Sequence, residues 1–300
     1  MSPQIWGPVM GDLDEAAVIF TGVRPRLFGI AYRMLGSAGE AEDLVQDVWL
    51  RWQNTDRTVV QNPGAFLATT TTRLAINELQ SARARRETYI GPWLPEPVDT
   101  SADPFLGAER GEALELAVLM LMERLTSQER AAYVLREAFD YPYAQIADIL
   151  QSSEAAVRQQ VSRARKHVAR ERKIPVPESA QRRLLATFLD AARSGDLDAL
   201  EKLFAADVAS VSDGNGAKHI ARKVVAGAAQ VAQFIAAFSS WYWDGVDVRW
   251  ANANGQPAAV LHRGDTVLGM VTVDASEDGI EKVLWMMKPG KLAAAVAVTH

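Results

Sequence analysis

Residues 143–170 read YAQIADILQSSEAAVRQQVSRARKHVAR. Tyr143, Ile146, Ala147 and Leu150 recur at i, i+3, i+4 and i+7, the apolar stripe of one helix. Gln151-Ser152-Ser153 breaks the pattern. Ser153 suits an N-cap, and Glu154 then sits at the positive end of a second helix. Val157, Val161, Ala164 and Val168 make the second stripe, and the opposite side carries Arg158, Gln159, Ser162, Arg163 and Lys166. This pattern predicts a helix-turn-helix whose second helix fits a DNA major groove. Arg can contact guanine bidentately, Gln can contact adenine, and the other groups can hold phosphates. A plain helical hairpin with a solvated charged face shows the same local pattern, so the remainder of the chain has to decide.

The net charge of −5 over 300 residues argues against a general nucleic-acid binder. The charge is uneven, however. Residues 154–173 hold seven Arg or Lys against Glu154 and Glu171, and phosphate binding follows the local patch. The chain has no Cys, which excludes disulfides, thiolate metal sites and a Cys nucleophile. It has no apolar run of membrane-spanning length and no signal-peptide pattern. The expectation is a cytoplasmic protein of roughly two domains with no membrane partner.

Outward from the helix-turn-helix, three blocks appear. Residues 14–87 read as helical, with AEDLVQDVWLRW at 41–52 and a long pattern at 63–86 that opens with Asn62 as a cap and Pro63 in the first turn. GPWLPEPVDTSADP, 91–104, is a Pro-rich linker. Residues 106–173 hold two further helices and the helix-turn-helix, and IPVPE at 174–178 stops the basic helix. The last block changes character. One or two helices are expected over 179–206, with a break near Asp196, and another over 228–243, ending in Trp241-Tyr242-Trp243. Strand-like runs follow at 246–251, 258–263, 266–275 and 280–288, punctuated by Asn254-Gly255, Gly264-Asp265 and Asp278-Gly279. Helices followed by an antiparallel meander indicate an α+β domain.

At this point a resemblance enters. FGIAYRMLGSAGEAEDLVQDVWLRW (28–52) is similar to the polymerase-binding region 2 of extracytoplasmic-function (ECF) sigma factors. AFLATTTTRLAINELQSARARR (65–86) is similar to the segment that opens and reads the −10 element. Residues 125–168 are similar to region 4, which reads the −35 element. WLPEP at 93–97 resembles a linker motif of the group with a fused C-terminal SnoaL-like domain. That group's DGGGK-like motif reads here Asp213-Gly214-Asn215-Gly216-Ala217, with Lys218 one step later, and its NPDKL-like motif reads Lys288-Pro289-Gly290-Lys291-Leu292.

The resemblance implies a multidomain fold of two all-α sigma domains followed by a cone-shaped α+β SnoaL-like domain. The implied boundaries are 10–90 for region 2, 91–105 for the linker, 106–173 for region 4 and 174–300 for the regulatory domain. It implies an alternative sigma factor that binds core RNA polymerase and promoter DNA, with its activity modulated in cis by its own C-terminal domain, which could either inhibit or pre-organise it and could stand in for a separate anti-sigma factor. No cofactor or metal is implied.

Roles follow residue by residue. Glu42, Asp43, Gln46 and Asp47 form a polar, acidic face suited to docking on polymerase, beside core candidates Leu44, Val48 and Leu50 or Trp52. Asn62, Arg73, Asn77, Arg83, Arg85 and Arg86 are the −10 candidates. Extruding a base costs a few kcal/mol, which an edge reader and cations along the strand offset; Asn62 and Asn77 could equally cap or bridge. Arg158, Gln159, Ser162, Arg163 and Lys166 are the −35 candidates. Trp93, Leu94, Pro95, Glu96, Pro97, Asp213, Gly214, Lys218, Pro289 and Lys291 are the interdomain candidates.

Two other functions share these features. One is a helix-turn-helix regulator with a ligand-sensing C-terminal domain. The other is an enzyme using His219, His262 or His300 with Asp213, Asp244 or Asp247, although nothing in the spacing places such a pair in one pocket. Trp243, Trp250 and Trp285 line either a small-molecule pocket or a core.

Overall fold

The structure, a computed structural model, describes residues 10–99 and 115–292. His300 lies outside the described residues, as do the linker's last residues and the start of the region assigned from 106. Helices α1 (Met10–Leu35), α2 (Ala38–Gln53) and α3 (Pro63–Glu87) form the first bundle. Ser37 caps α2 by accepting from the Glu40 N–H at 3.2 Å. Asn62 caps α3 by accepting from Ala65 N–H at 3.0 Å, with Pro63 in the first turn. Leu44, Val48 and Trp52 are buried, whereas Leu50 is exposed, so the open core position belongs to Trp52.

The second bundle contains α4 (Leu116–Met122), α5 (Ser127–Tyr133), α6 (Tyr143–Leu150) and α7 (Glu154–Glu171). Gln151 ends α6 in the left-handed conformation, with φ of 50°. Ser153 then caps α7 by accepting from Ala156 N–H at 3.2 Å. Both apolar stripes of the helix-turn-helix are buried except at Tyr143. The two bundles share one apolar cluster, which runs from Tyr32 and Leu79 to Leu119, Val134 and Val161.

The third part begins with α8 (Glu178–Ser194) and α9 (Leu197–Leu203), separated where Asp196 caps α9. Helix α10 spans Ala228–Ala236. The strands are β1 (Phe204–Asp213), β2 (Val225–Ala226), β3 (Asp247–Ala253), β4 (Gln256–Arg263), β5 (Thr266–Ser276) and β6 (Gly279–Met286). Their order is β2-β1-β6-β5-β4-β3; β1 runs parallel to β6 and every other pair is antiparallel. Asn254 and Gly255 carry φ of 57° and 75°, the backbone of a two-residue hairpin turn between β3 and β4.

Two expectations fail here. Helix does not continue to 206, because Phe204 opens β1: its small and polar residues leave strand formation to pairing with β6. Helix α10 ends at Ala236, short of the aromatic run. Residues 237–243 form turns, closed by bonds such as Phe238 N–H to Ile235 O at 3.1 Å, and Tyr242 and Trp243 meet edge to face at 5.3 Å.

Alternating strand residues face two separate cores. Ala259, Leu261, Val271, Val273, Val283 and Trp285 join α8 and α10 on one side. Ala258, Val260, Met270, Leu284 and Met286 form the other, where they cover Leu94 of the linker and Leu116 of α4. The second face of the sheet is therefore closed by the helical half of the molecule.

Candidate nucleic-acid interface and interdomain clamp

Helix α7 presents Arg158, Gln159, Ser162, Arg163 and Lys166 together on its exposed side, opposite the buried Val157, Val161, Ala164 and Val168. Arg158 stacks on Tyr143 at 4.2 Å and pairs with Glu154 at 2.5 Å. Such an exposed pair is weak and leaves the guanidinium available to a better partner. The array has the residue types and spacing of a major-groove reading face.

Helix α3 is differently disposed. Arg73 donates to the backbone oxygens of Ile149 at 2.9 Å and Asp148 at 3.1 Å. These lie in the last turn of α6, where helical carbonyls need outside donors and a cation is favoured. Arg83 donates to Glu123 O at 3.2 Å and to Leu125 O. Arg86 pairs with Glu123, donates to Leu35 O and lies 3.6 Å over the Trp93 ring. Glu123 also binds Arg130, which is fully buried and donates to Arg33 O at 2.9 Å. Burial alone would raise the Glu123 carboxyl, but the Arg130 and Arg86 guanidiniums hold it below the usual carboxylate range. Of the six −10 candidates, three are therefore bound to the second bundle. Arg85 pairs with Glu40 at 2.6 Å and Glu78 at 2.9 Å. Asn77 is exposed, and Asn62 is exposed with its side-chain oxygen engaged as a cap.

Glu42, Asp43, Gln46 and Asp47 are all exposed on α2. Glu42 pairs with Arg24 at 2.5 Å. Asp43 and Asp47 line a groove of about 380 Å³ shared with Asn77 and Arg85 of α3. The acidic face of α2 and helix α3 thus border one groove.

The Pro-rich linker lies between the helical half and the sheet. Asp213, fully buried at the end of β1, accepts from Tyr89 Oη, from Leu94 N–H at 2.9 Å and from Lys291 Nζ at 2.7 Å. Lys291 also donates to Leu94 O and lies 4.3 Å from the Trp93 ring centre. Burial pulls the Lys291 ammonium below its ordinary range, against the attraction of Asp213. Burial, with the Asp213 carboxylate beside it, raises the Tyr89 hydroxyl. Glu96 accepts from Ser37 Oγ at 3.0 Å and Ala38 N–H at 2.8 Å at the start of α2, where the helix dipole favours an anion. Its backbone carbonyl accepts from Tyr32 Oη at 2.6 Å. Asn254 then joins both halves: its amide donates to Tyr32 Oη at 2.6 Å and its oxygen accepts from Val98 N–H at 3.1 Å. Pro95 and Pro97 are buried. Gly36, with φ of 69°, lies so close under Trp93 that a Cβ there would stand 2.7 Å from the ring.

The structure brings Trp93, Leu94, Glu96, Asp213 and Lys291 together. Lys218 and Pro289 are exposed. Gly214 packs under Ile220 instead. Tyr32, Tyr89, Glu123, Arg130 and Asn254 were missed by sequence reasoning. Asn254 read only as a turn residue, and Tyr89 carried a faint signal in adjoining the linker.

Of the candidate acid–base groups, His262 and Asp247 are cross-strand neighbours and the others lie apart. Asp213 is engaged in the clamp, Asp244 and Asp247 are exposed, and His219 is exposed with φ of 65°. His262 lies opposite Asp247 across the β3–β4 pair, and burial lowers its imidazole. Among the described residues no cluster of His, Cys, Asp or Glu could hold a metal ion, and no helix is long and apolar enough to cross a membrane. Trp243 and Trp285 are buried in the sheet's α8 side, while Trp250 is partly exposed under Arg182 at 4.5 Å.

Comparison with known proteins places these features. Residues 19–85 match the family described as Sigma-70 region 2, and residues 115–168 match Sigma-70, region 4. The chain is 39% identical over 232 residues to the ECF RNA polymerase sigma factor SigJ of Mycobacterium tuberculosis (strain ATCC 25618 / H37Rv), covering 76% of this chain and 74% of that protein. It is 30% identical over 289 residues to the probable ECF RNA polymerase sigma factor SigI of Mycobacterium tuberculosis (strain CDC 1551 / Oshkosh), covering 94% and 97%. The crystal structure of SigJ matches with a TM-score of 0.74 at 31% identity, over 93% of this chain and 98% of that one. The two sigma-70 regions in order, the relatives that share them and the sheet domain that follows show that the chain belongs to the ECF sigma factors of RNA polymerase.

Proposed function

We propose that this alternative sigma factor is restrained in cis, with its C-terminal domain acting as a brace across the two DNA-reading halves. The observation that carries this is the clamp of Asp213 and Lys291 on Tyr89 and Leu94. A buried ion pair that grips backbone and side chain of the linker ties the linker to the sheet. The same domain holds the second bundle through Leu116, and through Lys173, which pairs with Glu281 at 3.0 Å and Asp278 at 3.1 Å. Because the domain is tethered, its effective concentration is in the millimolar range, so a modest interface is kept formed. The Pro residues of the linker reduce the entropy lost on docking.

In the braced arrangement α7 is ready for a −35 element, while Arg73, Arg83 and Arg86 are withheld from the −10 strand. Docking of the α2 face, with Asp43 and Asp47, on core polymerase would release them by separating the bundles. Restraint by the chain's own domain leaves no need for a separate anti-sigma protein. The C-terminal domain works here as a structural regulator rather than an enzyme, because Asp213 is held in the clamp. Truncation after residue 178 tests the reading in run-off transcription with core polymerase. A strong change in output is expected. Unchanged polymerase binding and transcription, with alanines across 93–97 also silent, would refute it.

A further inference from the structure

Behind the clamp, between the sheet and α10, lies a cavity of about 50 Å³, room for roughly three to five water-sized spheres. Phe234, Phe238 and Trp243 supply apolar walls, and among the described residues no Asp, Glu, Lys or Arg lines it. Two of its lining groups are polar and unsatisfied. Trp285 is only 8% exposed, and its Nε1 has no hydrogen-bond partner among the described residues. Tyr242 is half-buried, but its hydroxyl oxygen is covered and has no partner among the described residues, and burial pushes it up to about 12. An indole N–H can only donate and a neutral phenol donates readily. Leaving such donors unmade is unfavourable, so the cavity is suited to an acceptor. The absence of charged lining residues argues for a neutral molecule.

We propose that this cavity is a binding site for a small neutral carbonyl compound. Its hydrocarbon body packs on Phe234, Phe238 and Trp243, and its oxygen accepts from Trp285 Nε1–H and Tyr242 Oη–H. The site adjoins the clamp. Ile220 lines the cavity and also covers Gly214, where a Cβ would lie 2.6 Å from Ile220 Cδ1. Gly214 follows Asp213, and Met287, another lining residue, donates its N–H to Asp213 O at 2.8 Å. An occupant that shifts Ile220 therefore acts on the residue beside Asp213. This coupling rests on the cis-restraint reading; the binding itself does not.

The test is a titration of the ¹⁵N-labelled full chain with cyclopentanone, followed by the indole resonances of its eight tryptophans. Trp285→Phe and Trp93→Phe assign two of them by loss. Saturable downfield movement of the Trp285 resonance is expected with cyclopentanone and not with cyclopentane, which has the body without the acceptor. Tyr242→Phe should weaken binding about three- to tenfold. A stationary Trp285 resonance overturns the site, and a titration in which none of the indole resonances moves, or in which the two probes give equal responses, overturns it without needing any variant. Movement of the Trp93 resonance in the same titration supports the coupling. If Trp285 moves and Trp93 does not, the coupling is overturned while the pocket and the cis restraint both stand.

Discussion

Helices α7 and α3 carry the two faces proposed to read DNA, and they stand in opposite states. On α7 the stripe of Val157, Val161, Ala164 and Val168 is buried and the polar face is open. On α3 the apolar side is likewise buried, yet Arg73, Arg83 and Arg86 are bound to carbonyls and a carboxylate of the second bundle. Amphipathic helices of similar logic thus serve as a free surface in one case and as an internal fastener in the other. The difference is the neighbour each helix has. An Arg side chain extends far enough to satisfy the carbonyls of a neighbouring helix end, and α3 has such an end beside it.

The fastening can be broken most severely at the linker. Asp213→Ala leaves Lys291, 2% exposed, without its carboxylate, and should cost about 3–5 kcal/mol in urea unfolding. Lys291→Met should cost less, because Tyr89 and the Leu94 N–H still serve Asp213. Equal costs would show that the pair is not the clamp. Next comes Glu123→Gln, which strands the buried Arg130 and should cost about 3 kcal/mol while loosening Arg86 from the second bundle. Proteolytic susceptibility of the inter-bundle contact reads that loosening.

The same residue gives a pH test. Because its folded pKa lies below the ordinary glutamate value of about 4.3, its stabilisation is complete above that value and is lost as pH falls through the folded one. The stability gap between the protein and Glu123→Gln should therefore be constant near neutrality and close on acidification below about pH 4. A gap that widens on acidification would contradict the assignment of charge to Glu123.

On the open face, effects should be smaller and confined to DNA. Arg163→Ala should cost about 1–3 kcal/mol and relax one −35 position, with folding unchanged. Binding-site selection checks this, and preferences unaltered for Arg158, Gln159 and Arg163 variants alike would refute the face. Lys166→Ala should weaken binding evenly across sequences and lower the salt slope by about 1, measured by titration at several salt concentrations.

What was legible in the sequence follows the same division. The helix-turn-helix and the start of α3 were, because caps at Ser153 and Asn62 and the stripes at helical spacing are local signals. The meander from β3 to β6 was, through its turn residues. Strand β1 was not, since its residues become a strand only by pairing with β6, about 70 residues away in sequence. The partners of Arg73 and Arg83 were not, because they are backbone atoms far along the chain. One signal lay unused: β4 and β5 are apolar on both faces, as in Ala258, Ala259, Val260 and Leu261. An antiparallel sheet with one wet face would alternate, so this pattern already implied that something covers the second face. WLPEP was legible by resemblance alone, and its contacts with Asp213 and Lys291 were legible to that extent, whereas Asn254 had no signal beyond a turn and Tyr32 had none.

The most direct measurement is energy transfer between the two bundles. The chain has no Cys, so Val18→Cys on α1 and Ala169→Cys on α7, both exposed, accept a dye pair cleanly. High transfer is expected for the free chain and a marked fall on adding core RNA polymerase, with Asp213→Ala already lowered before the polymerase is added. Transfer that stays the same in the free chain, the variant and the polymerase complex would contradict a restraint held by the C-terminal domain and released on docking.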